Sequence, residues 1–567
     1  MHNHNDIMQL RHSAAHLLAH ALTELYPDTQ LTIGPATETG FFYDILPVHN
    51  IKEEDLEKIT ERMLAIVHQN LPLTHEQMTK KDAEKLYKNN QFKIELIQGI
   101  EGDTVGIARQ GTFYDLCRGG HVTSTAQLKH FKLTGISGSY WRADKNNPAL
   151  QRISGIIFFT QDELNAYEQK REELLKYDHR KIGKQLDFFS FHDEGVGFPF
   201  FHPKGKTVLN LLVSYMRSVL KKARYCEIET PTMLSDELWQ RSGHYKFYSD
   251  KMYFSTIDEK NYAIKPMNCP GSILIYKERP RSYRELPLRL NEFGKVHRHE
   301  LSGVLHGLFR VRSFTIDDTH IYCTVDQVEQ EIVTNMNIIM HTLKKFGFDK
   351  VTIGLSTKPT TAMGDDILWE KAINGLKNAL NHCNLTYKIQ EGEGAFYGPK
   401  IEIVIEDSMG REWQCGTIQI DFFQPENFDL SYVSPQGTYE RPVIVHQAMY
   451  GSLERFFGIL LEHHKGNLPF WLSPVQMRIL TIREDQQLYA QKIETHLIQE
   501  NFRVERNESS DSISNQIKNA QLQKVPWMLI IGAKEVETNT ITIRYLDGSQ
   551  EFGITLENLI KKAHTLS

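Results

Sequence analysis

The amino-acid sequence predicts an α+β protein of several domains, and three observations support this prediction. The chain of 567 residues is long enough for about three or four domains. Its hydrophobic content of 40% and charged content of 24% are typical of globular proteins with large buried cores. Its residue pattern changes twice: helices mixed with short strands come first, then a part rich in strands, then strands alternating with helices.

The boundaries of these parts follow from the pattern of each segment. Residues 1–158 mix helices and short strands. Residues 159–185 are predicted to form a polar connecting helix, because they are rich in strong helix formers and poor in core residues. In residues 186–468, segments such as KIEIVIED and GTIQIDFF have the composition and length of strands. Residues 469–567 alternate strands with helices, which predicts a compact α/β domain with a mainly parallel sheet.

Composition and charge limit the cellular setting and the partners. No apolar run approaches the ~18–20 residues of a membrane span, and the first residues lack the apolar core of a signal peptide, so we expect a cytoplasmic protein. The six cysteines have no close pairs, which argues against a disulfide framework. The net charge of −6 does not suggest a nucleic-acid partner. Local basic runs at residues 176–184 and 220–225 are equally consistent with a basic binding surface or a solvated helix face.

The most informative segment, residues 292–320, places charged pairs on both sides of a glycine-containing loop. Arg298 and Glu300 precede the loop, and Arg310 and Arg312 follow it. Guanidinium groups match phosphate oxygens bidentately. Glu300 shares one face of a predicted strand with Arg298 and can accept a hydrogen bond from a base amino group. The chain has no Gly-x-x-x-x-Gly-Lys-Ser/Thr sequence, so any nucleotide is not held by a P-loop.

This segment resembles motif 2 of the class II aminoacyl-tRNA synthetases. Its particular residues resemble motif 2 of the threonyl-tRNA synthetases within that class. GSLERFFGIL, residues 451–460, resembles motif 3 of the same class. The resemblance covers the whole chain and implies an editing domain (1–158), a linker helix (159–185), a class II catalytic domain on an antiparallel sheet (186–468) and an anticodon-binding domain (469–567). We expect the small N-terminal domain of many threonyl enzymes to be missing, because the editing helix begins almost at Met1.

The function implied by the resemblance is that of a threonine–tRNA ligase. Such an enzyme activates L-threonine with ATP and transfers it to tRNA(Thr), and it removes serine from mischarged Ser-tRNA(Thr) by hydrolysis. The implied partners are tRNA(Thr), ATP, L-threonine and a second copy of the chain, with neither DNA nor a membrane among them.

The resemblance also assigns the ATP site. Arg298 would contact the α-phosphate and the substrate carboxylate, and Arg310 would contact the distal phosphates. Adenine would lie between Phe314 and Arg455, where stacking and cation–π attraction hold it. Mg²⁺ is expected with ATP, because the charge of the departing pyrophosphate must be neutralised. The full catalytic and ATP-binding set implied by the resemblance is Arg298, Glu300, Arg310, Phe314, Gln414, Thr417 and Arg455.

Three residues far apart in sequence, Cys269, His320 and His446, match the catalytic zinc ligands of the threonyl family. Taken singly, each is more often a core residue. One Cys and two His leave a tetrahedral Zn²⁺ one ligand short, as in catalytic sites. An open position on the metal would distinguish threonine from the nearly isosteric valine. The threonine pocket implied by the resemblance is Met267, Asp318, Tyr397, Gln419 and Ser452. Ile316 stands where many members have Gln.

In the N-terminal part, His12 and His16 lie one helical turn apart, opposite an apolar stripe. This pattern alone favours solvated polar residues. Together with Cys117 and His121 in YDLCRGGH, it resembles the editing domain shared by threonyl- and alanyl-tRNA synthetases. Such a set could hold zinc or orient a water molecule without metal, and both readings stay open. The implied editing residues are His12, His16, Lys93, Asp115, Cys117 and His121.

In the C-terminal part, Lys534, Glu535 and Arg544 match positions that read anticodon bases, although charged residues at a sheet edge need no ligand. Two other functions explain parts of the chain. A free-standing aminoacyl-tRNA hydrolase would explain residues 1–158 but not the ATP motifs. A synthetase-derived binding protein would be expected to have lost Arg298, Arg455 or a zinc ligand, and all of these are present.

Overall fold

The structure is a computed structural model that describes residues 3–144, 146–362, 366–509 and 511–566. The chain divides into two compact units, Met1–Glu173 and Leu174–Ser567. Across the described residues, no helix is long and apolar enough to cross a membrane. All six cysteines are free thiols, as their spacing predicts.

The first unit contains two antiparallel sheets and the helices that pack on them. Its helices are α1 His4–Leu25, α2 Asp55–His68, α3 Lys80–Leu86, α4 Gln91–Gly99 and α5 Gln161–Lys176, the last of which ends in the second unit. Its strands are β1 Gln30–Leu31, β2 Phe41–Leu46, β3 Leu73–Thr79, β4 Thr104–Gln110, β5 Phe113–Leu116, β6 His130–Tyr140 and β7 Ala149–Phe158. The strand orders are β1-β2-β7-β6 and β3-β4-β5.

Helix α1 is buried on both faces. The prediction that its histidine face consists of solvated polar residues is therefore wrong. Its leucine stripe enters the core of the larger sheet. On the other side, His16 and His20 are only 4% and 3% exposed. The hairpin of β4 and β5 covers this face: the ring of Phe113 stacks on His20 at 5.0 Å, and Gln110 Nε2 lies 2.8 Å from His20 Nδ1.

The single connecting helix predicted for residues 159–185 is two helices in the structure. Helix α5 ends at Lys176, and α6 covers His179–Gln185. The break occurs because Asp178 caps α6, where its carboxylate accepts from the Arg180 N–H at 2.8 Å. Helix α6 is not a polar spacer, since His179 and Ile182 are buried in the core of the second unit.

The second unit contains an eight-stranded sheet, smaller strand pairs and a five-stranded C-terminal sheet. After α6, its helices are α7 Pro203–Lys222, α8 Asp236–Arg241, α9 His244–Tyr248, α10 Cys269–Lys277, α11 Val328–Lys345, α12 Asp366–His382, α13 Phe423–Asn427, α14 Leu453–His463, α15 Gln487–Gln499, α16 Ile513–Leu522, α17 Ala533–Thr538 and α18 Leu556–Thr565. Its strands up to the C-terminal sheet are β8 Phe189–Ser190, β9 Phe200–Phe201, β10 Cys226–Glu227, β11 Met233–Ser235, β12 Tyr253–Ile257, β13 Lys260–Ile264, β14 Leu288–His297, β15 Ser313–Cys323, β16 Val351–Ser356, β17 Lys388–Gln390, β18 Lys400–Glu406, β19 Glu412–Asp421, β20 Tyr432–Val433, β21 Tyr439–Glu440 and β22 Val443–Ser452.

The large sheet has the strand order β10-β14-β15-β22-β19-β18-β16-β17. Its pairings are antiparallel except at the two edges, where β10 joins β14 and β17 joins β16 in parallel. The predicted antiparallel sheet is thus confirmed. Helices α7, α11, α12 and α14 bury one face of the sheet in the main core. The polar residues of the central strands on the other face are left to form a site.

The C-terminal sheet consists of β23 Met477–Thr481, β24 Val504–Arg506, β25 Trp527–Ile531, β26 Ile541–Tyr545 and β27 Gln550–Ile554. Its order is β24-β23-β25-β26-β27, with the first two pairings parallel and the last two antiparallel. The prediction of a mainly parallel sheet is therefore wrong for its second half. The connection between β26 and β27 is too short for the crossover that a parallel pair requires.

Candidate functional site

A cluster of three buried potential metal ligands lies at the centre of the large sheet. Cys269 begins helix α10, and His320 and His446 stand directly opposite each other on strands β15 and β22. The two imidazole centroids are 5.0 Å apart. One ligand atom from each of the three side chains lies within 4.8 Å of the others. Antiparallel pairing thus brings together two histidines that are more than 120 residues apart in sequence.

The hydrogen bonding of this cluster fits a bound metal ion. His446 donates from Nε2 to Asp421 Oδ2 at 2.9 Å, which leaves Nδ1 as the available ligand atom. Both His446 Nδ1 and His320 Nε2 are buried without a hydrogen-bond partner among the described residues. Burial lowers the pKa of His320 well below its usual value, so this imidazole is neutral. Neutral imidazoles with a free lone pair are metal ligands.

A cavity of about 330 Å³ adjoins this cluster. Asp318 lies in its wall and accepts from Asn268 Nδ2 at 3.2 Å. Burial raises the pKa of Asp318 to about 6, so its carboxyl is mostly ionised at neutral pH. The Tyr397 hydroxyl donates to Gln419 Oε1 at 2.6 Å. The predicted pocket residues that line this cavity are Met267, Asp318, Tyr397 and Gln419.

A second cavity of about 530 Å³ lies beside the first. All of the residues assigned above to ATP line it, namely Arg298, Glu300, Arg310, Phe314, Gln414, Thr417 and Arg455. The two cavities share Arg298, Ile316, Thr417 and Ala448. A ligand in one cavity therefore lies next to a ligand in the other, with one guanidinium at the boundary.

The arginines of the larger cavity contact aromatic rings and a carboxylate. The Arg298 guanidinium lies 5.0 Å from the centre of the Phe314 ring, and Arg310 Nε lies 3.2 Å from Glu300 Oε2. The Arg455 guanidinium lies 5.9 Å from the Trp413 ring. In the residues that the structure covers, Arg455 Nε is buried without an acceptor. An anionic ligand would accept hydrogen bonds from these guanidinium groups, and an aromatic ligand would stack on the rings.

Two sequence predictions about this cavity differ from the structure. Strand β14 ends at His297, so Arg298 and Glu300 lie in the following loop and not on one strand face. Ser452, expected in the threonine pocket, lines the larger cavity instead. Its hydroxyl caps helix α14 by accepting from the Arg455 N–H at 3.1 Å.

A second cluster lies in the first unit and contains His12, His16, Cys117 and His121. One ligand atom from each lies within 4.8 Å of the others. Cys117 Sγ is 3.0 Å from His121 Nε2 and 3.5 Å from His12 Nε2. Burial raises the pKa of the Cys117 thiol to about 11 and lowers the pKa of His121 to about 4. At neutral pH the cluster therefore presents a protonated thiol and a neutral imidazole.

Lys93 and Asp115 complete this site as an ion pair, each about 2% exposed. Both line a cavity of about 740 Å³ together with His12, His16 and Cys117. The Tyr43 hydroxyl bridges the pair, accepting from Lys93 Nζ at 3.0 Å and donating to Asp115. Tyr43 was missed by sequence analysis, because an aromatic residue on a buried strand gives no sign of a polar role.

Asp421 was also missed, although the sequence contained a signal for it. Thr417, Gln419 and Asp421 alternate along β19, and period-two spacing places polar residues on one strand face. Only the pairing of β19 with β22 shows that this face meets His446.

The three predicted anticodon residues lie on two elements of the C-terminal domain, helix α17 and strand β26. Lys534 is exposed on α17. The Glu535 carboxylate accepts from the Gly532 N–H and from the Thr542 hydroxyl, both at 2.9 Å, so it has a structural role as a helix cap. Arg544, on β26, is half-buried, and its Nε has no acceptor in the part of the chain that the structure describes.

Comparison with known proteins identifies three family matches along the chain. Residues 248–464 match the tRNA synthetase class II core domain (G, H, P, S and T), and residues 474–566 match an anticodon binding domain. Residues 105–154 match the threonyl and alanyl tRNA synthetase second additional domain.

Similar whole proteins and a similar solved structure agree with these matches. Proteins named threonine–tRNA ligase from Clostridium tetani and Acetivibrio thermocellus are each 49% identical to the chain, over 98% and 97% of it, and the matches cover 87% of each relative. The crystal structure of the RNA binding domain of threonyl-tRNA synthetase from Cryptosporidium parvum is 40% identical, with a TM-score of 0.67. That match covers 69% of this chain and 98% of the other.

Proposed function

The chain belongs to the threonyl-tRNA synthetase family, and from this premise we propose how its own residues activate threonine, transfer it and edit errors. It is a class II threonine–tRNA ligase with an editing domain. The observation that carries the proposal is the pair of adjoining cavities, because activation joins an amino acid to a nucleotide and Arg298 lies at their boundary.

The smaller cavity is the proposed threonine site, with Cys269, His320 and His446 as zinc ligands. A bound Zn²⁺ would supply a position for the substrate amino group and hydroxyl. Asp318, largely ionised at neutral pH, accepts from the same hydroxyl. Valine has no hydroxyl, so the second carboxylate oxygen of Asp318, Oδ1, would be left without a donor. An apolar pocket alone would discriminate poorly between the two amino acids. Ile316 contributes no polar contact at the boundary of the two cavities.

The larger cavity is the proposed ATP site. Arg298 binds the α-phosphate and the threonine carboxylate, Arg310 binds the distal phosphates, and adenine lies between Phe314 and Arg455. Mg²⁺ would accompany the phosphates and neutralise their charge. The threonine carboxylate attacks the α-phosphate and pyrophosphate leaves, so no general base is needed. Positioning and charge stabilisation provide the acceleration.

The cluster in the first unit is the proposed editing site. Serine keeps the amine and hydroxyl and lacks only a methyl group, worth ~1–3 kcal/mol, so a second site is needed for accuracy. His12 and His16 line the cavity, and burial lowers the pKa of both imidazoles, so they are neutral and can orient a water molecule by hydrogen bonds. Water adds to the seryl ester carbonyl, and the ribose oxygen leaves with a proton.

The C-terminal domain is the proposed binding site for the tRNA anticodon, since it matches the anticodon binding domain. We assign base contacts to Lys534 and Arg544, and Glu535 orients helix α17, which carries Lys534, by capping its first turn. A homodimer and a cytoplasmic location follow from the family resemblance and are part of the proposal.

Amino-acid-dependent ATP–pyrophosphate exchange, measured with each of the standard amino acids, tests the proposal. We expect exchange with threonine, weak exchange with serine and none with valine. Arg298→Ala should abolish exchange, because both substrates lose a shared contact. Arg279→Ala removes an exposed arginine that pairs with Glu285 and serves as the matched control. Exchange that survives Arg298→Ala would contradict the assignment of the two cavities.

A further inference from the structure

A third cluster of titratable side chains, Asp178, His179 and Glu462, lies outside both proposed sites and has the spacing of metal ligands. Both imidazole nitrogens of His179 already have partners without a metal. His179 Nδ1 lies 2.6 Å from Glu462 Oε1, and His179 Nε2 lies 2.9 Å from the Leu308 backbone nitrogen. Arg411 neutralises Glu462 from the other side. The cluster therefore connects three chain segments and offers no ligand position.

The partners of His179 determine which nitrogen carries its proton. The Leu308 N–H is a donor only, so Nε2 must accept and keeps its lone pair. The proton is then on Nδ1 and is donated to Glu462. Neutral His179 thus joins the loop between Arg298 and Arg310 to helix α14, which carries Arg455. His179 lies outside residues 248–464, the segment that matches the class II core.

We propose that His179 is a positioning residue for ATP: it holds the tip of the loop at residues 306–309 so that Phe309 and Arg310 face the nucleotide. This inference rests on the proposed function. His179 is fully buried, and Leu308 is fully buried beside it. A lost hydrogen bond at this place cannot be replaced by bulk water, so the loop tip would move.

The packing around the loop tip supports this role. The Phe309 ring centroid lies 4.0 Å from that of His179 and 4.3 Å from that of Trp413. Phe309 also lines the larger cavity. A Cβ atom on Gly458 of α14 would lie 2.9 Å from the Phe309 ring, so a glycine is needed there. The Phe309 ring is thus packed between His179, Trp413 and α14.

Gly307 shows how close His179 approaches the loop. Its φ is +48°, and an added Cβ would lie 2.1 Å from His179 Nε2. A side chain at residue 307 would therefore separate His179 from Leu308. The next residues along the chain, Phe309 and Arg310, both line the cavity assigned to ATP.

Two amide substitutions separate the two hydrogen bonds of His179. The side-chain amide of glutamine reaches the place of Nε2, so His179→Gln keeps an acceptor for Leu308. The amide of asparagine reaches only the place of Nδ1, so His179→Asn keeps the contact with Glu462 and loses Leu308. We expect His179→Asn to raise the KM for ATP by about three- to tenfold in pyrophosphate exchange, with the KM for threonine unchanged. His179→Gln should keep the wild-type KM for ATP.

His464→Asn is the matched control. His464 directly follows α14, and its imidazole donates from Nε2 to the Phe346 carbonyl at 3.1 Å without contacting the loop. It should lower the melting temperature as His179→Asn does but leave the KM for ATP unchanged. Equal KM values for ATP in the two His179 variants would overturn the inference, as would an equal rise in His464→Asn.

Two further variants keep the result interpretable. Gly307→Ala should also raise the KM for ATP, and it carries the test if His179→Asn does not fold; an unchanged KM in this variant would overturn the inference.

Arg455→Ala tests the ATP site itself. If Arg455→Ala leaves the KM for ATP unchanged, the proposed ATP site fails, and the role of His179 fails with it. If it raises that KM while His179→Asn does not, only the role of His179 fails.

Discussion

Asp421→Asn should weaken zinc binding without disturbing the fold. Asp421 is fully buried, and its Oδ2 accepts from His446 Nε2 at 2.9 Å, which directs His446 Nδ1 toward Cys269 and His320. Its Oδ1 accepts from two backbone N–H groups at 2.8 and 2.9 Å. The amide oxygen of asparagine can keep the backbone contacts, whereas its NH₂ group would oppose the imidazole N–H.

Removing the carboxylate that orients a ligating histidine typically costs about 10–100-fold in metal affinity. This corresponds to roughly 1.4–2.7 kcal/mol of binding free energy. Competition with a chromophoric chelator measures the zinc affinity, and metal content after dialysis provides a second measurement.

Asp407→Asn is the matched control for this experiment. Asp407 is also buried, and its Oδ1 accepts from two backbone N–H groups. Its Oδ2 accepts from Trp413 Nε1 at 2.8 Å and from the Arg411 guanidinium. It contacts none of the three proposed ligands, so its zinc affinity should match the wild type. An Asp421→Asn protein that binds zinc as tightly as Asp407→Asn would refute the reasoning.

Four further predictions address the other proposed sites. Cys269→Ser should remove zinc and threonine activation while circular dichroism stays like that of the wild type; zinc-free wild-type protein with full activity would contradict this. Cys117→Ala should leave threonine charging nearly normal and let Ser-tRNA accumulate, and deacylation of Ser-tRNA at the wild-type rate would exclude an editing role. Arg544→Ala should weaken aminoacylation by ~1–3 kcal/mol, through a higher KM for tRNA, and leave pyrophosphate exchange unchanged; an unchanged KM for tRNA would count against a base contact. The pKa of His121 is about 4 in the folded protein and near 6.5 when unfolded, so the unfolded state takes up a proton first as pH falls. The free energy of unfolding should therefore fall between pH 6.5 and 4, by at most about 1.4 kcal/mol per pH unit from this group, and urea denaturation at several pH values should show a smaller loss for His121→Gln.

Much of the architecture could be predicted from the sequence, because it depends on local periodicity and on recognisable sequence motifs. The alternation in KIEIVIED and GTIQIDFF indicates strands β18 and β19, and both are present in the antiparallel sheet. The motif 2 and motif 3 segments, and the scattered Cys269, His320 and His446, identified the family. The family matches and the relatives confirm that identification. The individual roles of these residues remain predictions.

Contacts between distant segments could not be predicted in the same way. Period-two spacing shows that Asp421 shares a strand face with Gln419, but only the pairing of β19 with β22 brings it to His446. The same limit explains Ser452, whose hydroxyl caps α14 and lines the larger cavity. It also explains the mixed C-terminal sheet, whose strand directions depend on connections between elements.

The sequence by itself determined the family, the order of the domains and the residue types available for chemistry. Only the tertiary structure decided which of those residues meet and which nitrogen of a histidine is free. For His179, the sequence indicated a basic connecting helix, and the structure places its imidazole between Leu308 and Glu462, 129 and 283 residues away. The physical reason is that propensity and periodicity act over a few residues, whereas burial and strand register join segments separated by long loops.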